Sequence, residues 1–96
     1  MAKEMNTILV SYDLSAPGRD YPKLQEHLES YGDCVHLLES VWLVKTNSTA
    51  LQVCQAAEKC IDQNDKIFVI DVTNKFAAWN NLDDRVSEWL KSRMRI

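Results

Sequence analysis

The chain lacks any long apolar run. No stretch of its 96 residues approaches the roughly 20 apolar residues that a membrane span requires. The opening "MAKEMNT" lacks the apolar segment of a secretory signal, so nothing in it directs the chain out of the cytoplasm. Cysteine is scarce: Cys34, Cys54 and Cys60 are odd in number and show no CxxC spacing, which argues against a disulfide scaffold. His27 and His36 share no metal-ligand pattern with them, so a zinc site is not expected either. Reduced thiols packed as small apolar residues fit better. An excess of positive charge is also missing. The balance of 11 Lys+Arg against 14 Asp+Glu, net −3, counts against gripping a phosphate backbone through bulk charge, though it leaves room for local basic patches. The basic ending "KSRMRI" reads equally well as a solvated helix end. There is no internal repeat, low-complexity tract or linker.

What is present suits one small globular domain over residues 1–96, with 46% hydrophobic and 26% charged residues. "TILVSYD" (7–13) reads as a strand rich in β-branched residues around an apolar centre. After the loop "LSAPGR", Asp20 is placed to cap a helix whose first turn holds Pro22. Tyr21, Leu24, Leu28 and Tyr31 recur at helical spacing, and Gly32 stops the helix. "CVHLL" and "SVWLVKT" follow as two strands, with Glu39 and Ser40 in the turn between them. Thr49 with Gln52 forms a capping-box signature, and Leu51, Cys54, Ala57 and Ile61 line an apolar helix side. "KIFVIDV" is a fourth strand whose apolar run implies burial on both faces. The final helix, "LDDRVSEWLKSR", carries Leu82, Val86, Trp89 and Leu90 on one side.

The order β-α-β-β-α-β plus a C-terminal helix is the ferredoxin-like α+β sandwich pattern. Right-handed crossovers then fix the sheet order as 4-1-3-2, with strand 1 central and antiparallel to strands 3 and 4. That order gathers Asp13, Arg19, Glu39, Ser40 and Asp65 at one end of the sheet. A carboxylate at the end of a central strand is costly to bury unless something pairs with it. Read from the residues alone, Asp13 has three roles open: a turn cap, an ion pair with Arg19 or Lys66, or a ligand for a hard divalent cation.

Three further readings come from single residues. Arg19 beside a helix N-terminus suggests a phosphate cradle, as in acylphosphatases, yet the loop has one glycine and lacks that family's glycine-rich signature. Tyr12 and Trp42 on adjacent strands invite comparison with RNA-recognition domains, whose Gly-Phe-Gly-Phe pattern is absent; packing is the expected role of Trp42. Trp79 and Trp89 are expected to pin the C-terminal segment onto the domain or onto a second subunit.

"ILVSYDL", a glycine after the first helix and "ESVWLVKT" together resemble the CRISPR-associated Cas-two proteins and the Cas-two-like group labelled SinR-like. The similarity runs from about Asn6 to the final helix and lies in order and spacing more than in one motif. The resemblance implies a ferredoxin-like fold, a homodimer, nucleic acid as partner and, in some members, a metal-dependent endonuclease acting on DNA or RNA. It makes Asp13 the metal-binding and catalytic position, with Mg²⁺ as the cofactor, and Ser40 the hydroxyl across from it. Arg19 is a substrate-binding candidate from its own place before the first helix, not from the resemblance, with a plain surface arginine as the competing reading. His36 and Leu38 stand where that family tends to place Arg and Gln. The acidic balance also departs from a DNA platform, which favours the SinR-like branch. A non-catalytic dimeric interaction or regulatory module of the same fold is the alternative.

Overall fold

The computed structural model describes residues 5–15 and 21–96. Arg19 and Asp20 lie outside the described residues; the N-cap position of the first helix is Tyr21, without a side-chain cap bond, and not Asp20 as expected. Seven elements follow in order: β1 (Asn6–Asp13), α1 (Pro22–Glu29), β2 (Cys34–Leu38), β3 (Val41–Thr46), α2 (Ala50–Glu58), β4 (Lys66–Asp71) and α3 (Asp84–Arg93). The strands form one antiparallel sheet ordered β2-β3-β1-β4. This is a mixed α+β architecture of a four-stranded antiparallel sheet and three helices, in the strand order expected from the sequence.

Alternation along β1 divides its side chains between two faces. Ile8 and Val10 point to the face covered by α1 and α2, where they meet Leu24, Leu28, Val44 and Val53, all fully or almost fully buried. Their register partners on β3 are Val44 and Trp42, so the apolar pairs stack directly across the sheet. Trp42 joins this core at 4% exposure, the packing role expected of it. Its indole N–H donates to the Tyr12 hydroxyl at 3.1 Å, and the His36 ring stacks on it at 4.4 Å.

The helices start and stop by local chemistry. Pro22 occupies the first turn of α1, and the backbone turns at Gly32 with φ +84°, in the left-handed region that glycine adopts without strain. The Thr49 side chain accepts the Gln52 amide while the Gln52 side chain accepts the Thr49 amide, completing the anticipated capping box of α2. Asp83 caps α3 by accepting the Val86 amide.

Two burial expectations fail. β4 is not buried on both faces: Phe68 is 62% and Ile70 43% exposed. Its apolar run is continuous, but β4 is an edge strand, and the sheet face carrying these two side chains is left open there. Leu51 is 66% exposed rather than on the buried side of α2, which consists of Val53 and Ala57. At about 100° per residue, Leu51 sits on the flank of the helix while Val53 and Ala57 point to the sheet. Cys54 and Cys60 are half-buried and, like Cys34, unbridged.

The second sheet face carries Leu9 and Leu43 and is partly covered by α3 and the segment 75–82. Between them lies an apolar cavity of about 420 Å³, lined among others by Leu9, Leu43, Trp79, Leu82 and Leu90. α3 is held from its side by Asp33, just before β2. Asp33 accepts the Trp89 indole N–H at 2.9 Å and the Arg93 Nε–H at 2.9 Å, and a second Arg93 nitrogen lies 2.8 Å from its other oxygen. The Arg93 guanidinium also lies 4.6 Å from the centre of the Trp89 ring. Trp79 contributes by donating to the Ser87 hydroxyl at 3.1 Å. Trp89 therefore ties the C-terminal segment to the domain, while Trp79 bonds within that segment. Among the described residues no helix is long and apolar enough to cross a membrane.

Candidate functional site

β1 ends at Asp13 because the chain leaves the ladder there. Its last register partner on β4 is Lys66, and the Tyr12 amide donates to the Ser40 carbonyl at 3.1 Å at the mouth of the β2–β3 turn. The antiparallel arrangement therefore brings Asp13, Ser40, Asp65 and Lys66 to one end of the sheet, although they are up to 53 positions apart in sequence. Glu39 lies in the same turn as Ser40.

Asp13 is exposed, and among the described residues no hydrogen bond or ion pair engages its carboxylate. Lys66 faces it across the ladder without forming an ion pair. Ser40 is half-buried.

The neighbouring carboxylate, Asp65, behaves differently. Its Oδ1 accepts the Ser15 amide at 2.7 Å, the Ser15 hydroxyl at 2.8 Å and the Tyr21 hydroxyl at 3.3 Å, while Oδ2 accepts the Asp62 amide at 2.8 Å. These donors, the Ser15 amide first, hold its carboxyl below the ordinary aspartate range against a smaller opposing effect of burial. Asp65 thus ties the exit of β1, the entrance to α1 and the loop before β4. The sequence places Asp65 at this end of the sheet but gives no sign of that role, because three of its four donors come from the β1–α1 loop, more than 40 positions away.

A divalent cation at Asp13 would keep most of its water. Asp65 has its lone pairs committed to four donors, and among the described residues no group of three or more His, Cys, Asp or Glu side chains is placed to enclose a metal. A lone exposed carboxylate on a cation that retains most of its water is an arrangement Mg²⁺ tolerates. The apolar cavity under α3 does not reach this end: neither Asp13 nor Ser40 lines it. No protein-family profile matches the chain.

Proposed function

We propose that this chain is a Cas-two-like, nucleic-acid-associated protein of ferredoxin-like fold that works as a homodimer in the cytoplasm. The β-α-β-β-α-β order and the β2-β3-β1-β4 sheet support the fold reading. The observation that carries the functional reading is the exposed, uncommitted carboxylate of Asp13 at the end of the central strand, next to Ser40. In this reading Asp13 anchors a hydrated Mg²⁺ and the chain is a metal-dependent endonuclease. The ion would supply charge neutralisation at a phosphodiester and a more acidic bound water. Ser40 offers a hydroxyl to a phosphate oxygen, and Arg19, in the loop after β1, would supply a cation.

A second reading, a dimeric interaction or regulatory module without chemistry, is favoured by the large apolar side chains left open on β4 and by the lack, among the described residues, of any group of three or more metal-ligating side chains. One experiment separates them. Purified protein is incubated with single- and double-stranded DNA and RNA, with Mg²⁺, Mn²⁺ or chelator. Divalent-dependent cleavage that Asp13→Asn abolishes supports the nuclease. No cleavage of any substrate by the wild type, or cleavage surviving in Asp13→Asn, removes Asp13 as the catalytic position.

A further inference from the structure

The two edges of the sheet are treated unequally. β2 is irregular, with a register shift between His36 and Leu38, and α3 packs against it through the Asp33 clamp. Bulges and covering helices are the usual ways to keep an edge from pairing with another chain. β4 has no such irregularity: α2 packs against one of its faces, but its register with β1 is unbroken over six residues, it contains no proline, and among the described residues no strand lies beyond it.

The direction of its free groups follows from one hydrogen bond. The Val72 amide donates to the Thr7 carbonyl at 2.8 Å. Hydrogen-bonded and non-hydrogen-bonded pairs alternate along an antiparallel ladder. Ile70, Phe68 and Lys66 therefore bond towards β1, whereas Ile67, Val69 and Asp71 aim their N–H and C=O groups outward. This edge is flanked by exposed apolar side chains on both sides of the sheet. Phe68 and Ile70 lie on one face. On the other, α2 packs against β4: Glu58 shares a pocket with Ile67, and the exposed Leu51, seven positions before Glu58, falls on the same flank of the helix.

We propose that the β4 edge is the self-association surface of this protein. A second copy pairs its own β4 antiparallel to the first, around a two-fold axis at Val69, joining two four-stranded sheets into one. This inference rests on the homodimer in the function proposed above and specifies how the dimer is built. The strand is self-complementary in this register. Val69 faces its symmetry mate, Phe68 lies opposite the partner copy's Ile70 twice over, and Ile67 is opposite Asp71, so the outward groups form hydrogen-bonded pairs. No like charges face each other. The neighbouring register, centred on Phe68, would instead set Asp65 opposite Asp71, two carboxylates on one face, and is disfavoured. The two Asp13 positions would then stand roughly 25 Å apart, from the strand rise and spacing. Each Asp13 site would be built within its own subunit instead of being shared across the axis.

The test combines mass with amide exchange. Sedimentation over a dilution series is expected to show a species of twice the 11.1 kDa chain mass. At a total chain concentration a hundredfold above the dissociation constant, where about 7% of a homodimer remains monomeric, the Ile67, Val69 and Asp71 amides are expected to exchange about 15-fold more slowly than at high dilution. The Phe68 and Ile70 amides, bonded to β1, should be protected at both concentrations. Val69→Pro removes an outward N–H without touching the ladder to β1, and is expected to weaken the dimer at least tenfold while the monomer still melts cooperatively. Should that variant fail to fold, Leu51→Glu, outside the strand, is expected to weaken the dimer to a similar degree. A dimer whose Ile67, Val69 and Asp71 amides stay unprotected would overturn this interface and leave the homodimer standing. A monomer at every concentration would overturn both. A folded Val69→Pro chain that dimerises like the wild type would also overturn it. Cleavage by Asp13 is read separately, so its presence or absence does not bear on the edge.

Discussion

The Asp65 carboxylate accepts the Ser15 amide at 2.7 Å, joining two loops 50 positions apart in sequence. With the Ser15 and Tyr21 hydroxyls and the Asp62 amide on the same carboxylate, this contact fixes the end of the sheet where Asp13 stands. A carboxylate whose donors favour the charged form has a lower pKa folded than unfolded, so the folded state binds the proton less well. The stabilisation is fully present above the unfolded value of about 3.9 and is lost as pH falls through the lower folded value. Melting temperature is expected to fall as pH drops from 5 to 3. Asp65→Asn is expected to melt several degrees lower at pH 7 and to show a shallower fall on acidification. Parallel acid profiles for mutant and wild type would remove Asp65 from that role.

Asp13→Asn should leave the fold nearly untouched. Because no described residue bonds the Asp13 carboxylate, the substitution breaks no contact and Asn keeps its shape. The expected change is within about 0.5 kcal/mol, the range of substitutions on an uncommitted surface. Thermal melts with and without Mg²⁺ measure it. A drop beyond 10 °C would mean that Asp13 is structural.

The Asp33 clamp predicts a selective loss at the C-terminus. Arg93→Met removes both bonds from the guanidinium to Asp33 and leaves that carboxylate with the Trp89 indole alone. Hydrogen bonds to charged groups contribute about 1.5–3 kcal/mol each, and partial exposure of this pair puts the expected loss at the low end. Each kcal/mol corresponds to roughly 4–8 °C for a domain of this size. Limited proteolysis is expected to cut between residues 75 and 96 first, leaving the four-stranded sheet intact for longer.

Thr49→Ala removes one half of the capping box on α2. The expected cost is about 1 kcal/mol, typical for an N-cap, measured by urea denaturation with an unchanged slope. A change in slope would point instead to a less compact folded state.

The thiols offer a check on packing. Cys34, Cys54 and Cys60 are free and half-buried. Burial first, and then the charges of Glu29 and Asp33, push the Cys34 thiol up; burial and the Glu58 carboxylate do the same for Cys54. Less thiolate at pH 7 means slower reaction. Labelling of Cys34 and Cys54 is expected to be slow in native buffer, to speed up in urea, and to rise with pH beyond the ordinary thiol range. Immediate labelling of either at pH 7 would contradict the packing.

Much of the architecture could be read in the amino-acid sequence because it depends on neighbours close along the chain. The alternation in "TILVSYD", the helical spacing of Tyr21, Leu24 and Leu28, and the Thr49–Gln52 box each state their element within a few residues. Handedness of the crossovers then leaves one sheet order, which is the order found. That step also places Asp13 beside Ser40 and Asp65. What the tertiary structure decided is everything set by which surfaces acquire a neighbour. The run in "KIFVIDV" has the composition of a doubly buried strand, yet β4 lies at an edge, so Phe68 and Ile70 stay open. Leu51 fits a helical apolar pattern but falls on the flank of α2 once Val53 and Ala57 take the sheet. The four donors on Asp65 and the docking of Trp89 and Arg93 on Asp33 come from segments up to 60 positions apart. Side chains such as these meet only after the sheet has formed, so no local pattern records them.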